Sequence, residues 1–98
     1  MSTTDWSRKE GEFTCCGITK KAIQEIGEIV FIELPEVGRA FQSGDLVAVV
    51  ESTKAAFDIY ASLAGTVVEV NSELQKSIQL LNSDPEGAGW IYKIDIHQ

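Results

Sequence analysis

Apolar and polar residues alternate along much of this chain. Phe57 and Ile59 alternate with Asp58 and Tyr60, Val68 and Val70 with Val67 and Glu69, and Trp90, Tyr92, Ile94 and Ile96 with Ile91, Lys93 and Asp95. A period of two sends successive side chains to opposite faces, so residues 57–60, 67–70 and 90–96 are predicted to be half-buried strands. Residues 28–34 and 46–50, rich in Val, Ile and other β-prone residues, predict two more. Pro35 closes the first of these because it has no N–H to donate to a ladder. At the start of the chain, residues 6–9 and 12–16 flank Glu10-Gly11, which reads as a hairpin turn. One helical segment interrupts the β pattern: Thr19 is placed as its N-cap, Ala22, Ile23 and Ile26 share a face, and Gly27 ends it.

Val37-Gly38 and Ser43-Gly44 supply turn residues on either side of residues 39–42. Ser77 is predicted to cap a helical turn through Leu80 and Leu81, and residues 82–89, dense in turn formers and carrying Pro85, to form a loop. Many short strands and no helix of crossover length predict a mostly β fold, a sandwich or flattened barrel with one or two short helices. Residues 28–51 and 65–95 each run strand, polar turn region, strand. Either a quasi-symmetric pair of sheets or the general self-similarity of all-β chains accounts for that echo.

Composition narrows the function. Ninety-eight residues fit one domain spanning 1–98, and 44 % hydrophobic with 23 % charged residues is an ordinary globular balance. No apolar run approaches the roughly 20 residues of a membrane helix, and residues 1–10 are polar rather than signal-like, so a cytoplasmic protein is expected. A net charge of -7 repels phosphate backbones and anionic lipid, which argues against nucleic-acid and membrane partners and suits docking to basic protein surfaces. Cys15 and Cys16 are adjacent and should point to opposite faces of a strand, a poor geometry for a disulfide, so free thiols are expected. The single histidine, His97, lies far from them in sequence, which argues against a metal site.

The candidate chemistry lies in Glu51, Ser52, Thr53, Lys54 and Ala55, a polar break between two predicted strands that reads as a hairpin tip. A lysine there is displaced from the core, and a modifying enzyme could reach its amine. By itself an exposed turn lysine is usually a solvated residue without special role.

Its surroundings are more specific. Val49-Val50-Glu51-Ser52-Thr53-Lys54-Ala55 resembles the Glu-Ser-x-Lys-Ala lipoylation motif of glycine cleavage H-proteins. Segments 16–19, 27–38, 65–71 and 89–94 also resemble that family, in its order, so the likeness covers nearly the whole chain. Thr53 and Ala55 stand where biotin carriers usually have Met, and Thr53 where lipoyl domains of 2-oxo acid dehydrogenases usually have Asp.

The resemblance implies a lipoyl-domain fold of the barrel-sandwich type and a covalent lipoate on Lys54. It further implies a non-enzymatic, monomeric carrier that takes an aminomethyl group of glycine from a pyridoxal-phosphate glycine decarboxylase (P-protein) to an aminomethyltransferase (T-protein). Dihydrolipoamide dehydrogenase (L-protein) reoxidises the arm, and a lipoate-protein ligase or lipoyltransferase installs it. Asp58 and Asp5 match positions where the family holds the loaded arm, although Asp5 stands where Glu is usual. Two departures are Thr4-Asp5-Trp6 in place of His-Glu-Trp, and an end at Gln98 where the family continues into a helix, so some docking surface is expected to be missing. Alternative readings are an H-like relay that passes lipoyl groups to 2-oxo acid dehydrogenases, or an unmodified interaction module. A hydrolase built on Ser52, Asp58 and His97 lacks any nucleophile elbow.

Overall fold

A computed structural model describes residues 5–96. The chain opens with the hairpin β1 (Asp5–Glu10) and β2 (Phe13–Ile18) and turns into helix α1 (Lys20–Ile26). It continues through β3 (Ile29–Glu33), β4 (Ala40–Phe41), β5 (Leu46–Ser52), β6 (Ala56–Tyr60) and β7 (Gly65–Val70). Two helical turns, α2 (Glu73–Lys76) and α3 (Gln79–Ser83), precede β8 (Tyr92–Ile96). The strands form two antiparallel sheets, one in the order β1-β2-β8-β7-β4 and the other in the order β3-β5-β6. The core contains Ile18, Ile32, Phe41, Val50, Leu74, Leu81 and Ile94, all essentially inaccessible to solvent. The predicted mostly β class holds. Segments 28–51 and 65–95, which echo one another in sequence, place their long strands in different sheets.

Several boundaries move for identifiable reasons. The first hairpin pairs Glu10 with Phe13, so its turn is Gly11-Glu12 rather than Glu10-Gly11. Gly11 takes φ +63° while no described non-glycine residue has positive φ, which matches a type II′ turn with glycine first. Strand β5 runs on to Ser52 and β6 begins at Ala56, tightening the tip between them. Strand β8 begins at Tyr92, two residues later than expected. Strand β4 falls within a stretch read as turns, where two residues are too few for a period to show; it places Phe41 in the core.

Three short helices stand where one or two were expected. Ser77 is the C-cap of α2, its N–H donating to the Glu73 carbonyl at 2.8 Å, while α3 starts after Ile78 without a side-chain cap. The predicted cap on α1 is present: the Thr19 hydroxyl accepts the Ala22 N–H at 3.1 Å.

Asn71 is one of the side chains that hold the loop before β8. Buried, it donates to the carbonyls of Ala88 and Trp90 at 2.9 and 2.8 Å, and its own carbonyl oxygen accepts the Glu73 N–H. The loop also meets the first hairpin, where the Trp6 indole N–H donates to the Pro85 carbonyl at 3.0 Å. Both cysteines are free and buried, on opposite faces as expected. Cys16 faces the core, and burial pushes its thiol up to about 11. Cys15 lies opposite Arg8 and Lys93 and is likewise raised by burial.

Candidate functional site

The β5–β6 hairpin carries Lys54 at its end. Glu51 pairs with Ala56, and beyond that pair the Ser52 N–H donates to the Ala55 carbonyl at 2.9 Å. The Ser52 hydroxyl completes the turn. Its oxygen accepts the N–H of Lys54 at 3.1 Å and of Ala55 at 3.2 Å, and its proton goes to the Ala55 carbonyl at 3.2 Å. One donor and two acceptor sites are all a hydroxyl has, so this group is saturated by the tip's own backbone. Ser52 is therefore a structural member of the motif, buried while Thr53, Lys54 and Ala55 are exposed. Such a hydroxyl has nothing left with which to act as a nucleophile.

The tip is tied laterally as well. The Thr53 N–H donates to the Glu28 carbonyl at 3.0 Å, where α1 gives way to β3. Gly27, with φ +100°, ends α1 beside the lysine stem: a Cβ there would stand 3.5 Å from Lys54 Cε and 3.7 Å from Cδ. The stem thus lies along bare backbone. Among the described residues the Lys54 ammonium forms no ion pair. An exposed, unpaired amine on a fixed turn is what covalent attachment of an acyl arm requires.

A family model described as glycine cleavage H-protein matches residues 1–98. This chain belongs to the glycine cleavage H-protein family. Its similarity to individual members is extensive. The glycine cleavage system H protein of Thermus thermophilus is 50 % identical over 92 residues, covering 94 % of this chain and 72 % of the relative. That of Thermotoga maritima is 46 % identical over 94 residues, covering 96 % and 76 %. Among solved structures, the crystal structure of a glycine cleavage system H protein from Mycobacterium marinum superposes with a TM-score of 0.90 at 33 % identity, covering 98 % of this chain and 80 % of that one.

Within this H-protein fold the other predicted site residues are spread apart. Glu51 is exposed one pair behind the tip. Asp58 lies two pairs further along β6, opposite Val49, and is exposed; the Tyr60 hydroxyl donates to its Oδ2 at 3.2 Å. Two residue steps of a strand place it about 7 Å behind Ala56. Asp5 is half-buried in the other sheet, paired with Ile18. Neither carboxylate forms an ion pair with Lys54. His97, and with it the third member of the hydrolase reading, lies outside the described residues, as does Thr4.

Gly27 and Glu28 touch the tip, and Asn82 bonds the adjoining Ile29; none was singled out as a site residue in the sequence. Gly27 carried a signal as a helix stop. Glu28 acts through its carbonyl, which side-chain identity does not report, and Asn82 lies in a segment read as loop. No cluster of three or more metal-ligating side chains occurs among the described residues, and none of their helices is long and apolar enough to cross a membrane.

Proposed function

We propose that this chain is the lipoyl carrier of a glycine cleavage system, modified on Lys54, with Ser52 shaping the turn and Glu51, Thr53 and Ala55 flanking it for recognition by a lipoate-protein ligase or lipoyltransferase. Family membership supports the role, and the observation that carries the site is the exposed Lys54 on a turn whose N–H groups are satisfied by Ser52. Lys54 gives up its ammonium proton and attacks the acyl carbon of a lipoate activated with ATP; the bond to the activating phosphate breaks and AMP leaves, the amide that forms is neutral, and the four-carbon stem becomes a flexible tether.

Bound lipoyl supplies a reducible disulfide that carries the aminomethyl unit between partner active sites, so the carrier needs no catalytic group of its own. Glycine decarboxylase, aminomethyltransferase and dihydrolipoamide dehydrogenase are the partners of that cycle. The chain contributes position, reach and shelter, with Asp58 and Asp5 as carboxylates that hold a cationic load. It acts as a single-domain, cytoplasmic monomer.

The test is intact mass after incubation with lipoate-protein ligase, lipoate and ATP. Gain of one lipoyl group by the parent and none by Lys54→Arg supports the carrier role. No gain, with a known carrier modified in parallel, overturns it and leaves an unmodified interaction module.

A further inference from the structure

The hydrogen-bond direction along β3 leaves a problem that one side chain solves. Ile29 is opposite Ser52 in β5, and the neighbouring Glu28 carbonyl, not Ile29, bonds across to Thr53, just past the end of β5. In an antiparallel ladder that arrangement turns the N–H and C=O of Ile29 outward, to the free edge of the three-stranded sheet. Ile29 itself is fully buried, and an unpaired backbone group in such a position costs the folded state.

Asn82 of α3 takes both groups. Its Oδ1 accepts the Ile29 N–H at 2.8 Å and its Nδ2 donates to the Ile29 carbonyl at 2.8 Å. The amide orientation is dictated, because a backbone N–H can only donate and a carbonyl only accept. One amide thus acts as a single-residue strand on the edge of β3. A second thread follows the same course, since the Gln79 amide, also on α3, donates to the Glu28 carboxylate at 3.4 Å.

We infer that Asn82 is a positioning residue for Lys54, holding the Glu28–Ile29 peptide so that Glu28 can anchor Thr53 and Gly27 can flank the lysine stem. The inference rests on Lys54 being the modified lysine, and it places the brace of the carrier tip on a helix 28 positions further along the chain. Among the groups available to Ile29 only an uncharged carboxamide, or a protonated carboxyl, offers an acceptor and a donor at that spacing.

The chemistry suggests its own test. Asn82→Asp is nearly isosteric: protonated, it restores acceptor and donor, whereas ionised it faces the Ile29 carbonyl with a second acceptor. Amide hydrogen exchange is read by NMR on Asn82→Asp, Asn82→Ala and the parent, as protection factors at matched pH. In Asn82→Ala the Thr53 N–H should lose protection tenfold or more, with Val67 and Ile94 in the other sheet changing less than twofold. In Asn82→Asp that loss should appear at pH 7 and recover below pH 5.

Lipoylation kinetics form the second readout, with the KM for the carrier expected to rise about fivefold in Asn82→Ala at nearly unchanged kcat. Protection lost evenly over both sheets would show that Asn82 serves global stability only, and parental Thr53 protection in a folded Asn82→Ala would overturn the inference. If Asn82→Ala fails to fold, the pH recovery of Asn82→Asp decides alone: recovery supports the brace and a pH-independent Thr53 amide refutes it. Should the parent prove not to be lipoylated at all, the function proposal fails while the exchange data still test the brace.

Discussion

Trp6 packs its indole where Gly17 has no side chain. A Cβ at Gly17 would come within 2.7–2.8 Å of three ring atoms, Cε2, Cζ2 and Nε1, a separation that real Cβ contacts do not reach. The two residues face each other across β1 and β2, and the ring is fixed by the bond from its Nε1, on the edge beside Gly17, to the Pro85 carbonyl. Gly17→Ala should therefore push the ring off the sheet and cost about 1–3 kcal/mol, as overpacking does. Urea unfolding followed by tryptophan fluorescence should show a lower midpoint with an unaltered slope. An unchanged midpoint would mean that the indole swings aside freely.

Removing the Ser52 hydroxyl leaves two N–H groups of the tip without their acceptor. Because Lys54 and Ala55 are exposed, water replaces part of the loss, and Ser52→Ala should cost about 1 kcal/mol. The Lys54 and Ala55 amides should exchange faster, and lipoylation should slow several-fold although the lysine is intact. Parental modification rates together with parental exchange would show that the hydroxyl does not shape the turn.

Cys16 makes stability depend on alkaline pH. Its thiol, raised by burial to about 11 from an ordinary 9.0, stays protonated in the fold after it has ionised in the unfolded chain. Its stabilising contribution is whole below pH 9 and is lost as pH climbs from about 9 to about 11, because there the native state binds more protons than the unfolded one. Tyr92, raised in the same direction chiefly by burial, adds to the fall. The Cys16 share is on the order of 2–3 kcal/mol. Urea midpoints at pH 8 and 10.5 measure the drop, which Cys16→Ala should shrink; equal drops in the two proteins would refute the assignment. Neither buried thiol should react with a bulky disulfide reagent at pH 7.5 unless the protein is unfolded.

Asp58 accepts a hydrogen bond from the Tyr60 hydroxyl through its Oδ2. If Asp58 holds the loaded arm, Tyr60→Phe frees its second oxygen and should lengthen the lifetime of the loaded carrier, whereas Asp58→Asn should shorten it. Equal lifetimes in all three proteins would remove Asp58 from the site.

The strands and the lysine tip were legible because both write themselves locally, the first as a period of two and the second as a polar break between β-prone runs. What escaped is of a different kind. Glycine in the first turn could occupy either central position, since both accept positive φ in one turn type or another, and the turn slipped by one residue. Strand β4 is too short to show a period, and Ser77 looked like a cap although it ends one helix instead of starting the next. The clamp of Asn82 on Ile29 spans 53 positions, and nothing in the residues around either partner announces the other.

Strand β8 lies between β2 and β7, so the middle of the five-stranded sheet is contributed by residues 92–96. A chain emerging from the ribosome has both flanks of that sheet long before it has the strand that joins them. The β5–β6 hairpin, by contrast, is local and closes early. The turn that carries Lys54 is consequently closed while the body of the protein is still two unjoined pieces, and a nascent chain stalled before Tyr92 should be cut readily by protease yet already contain the hairpin.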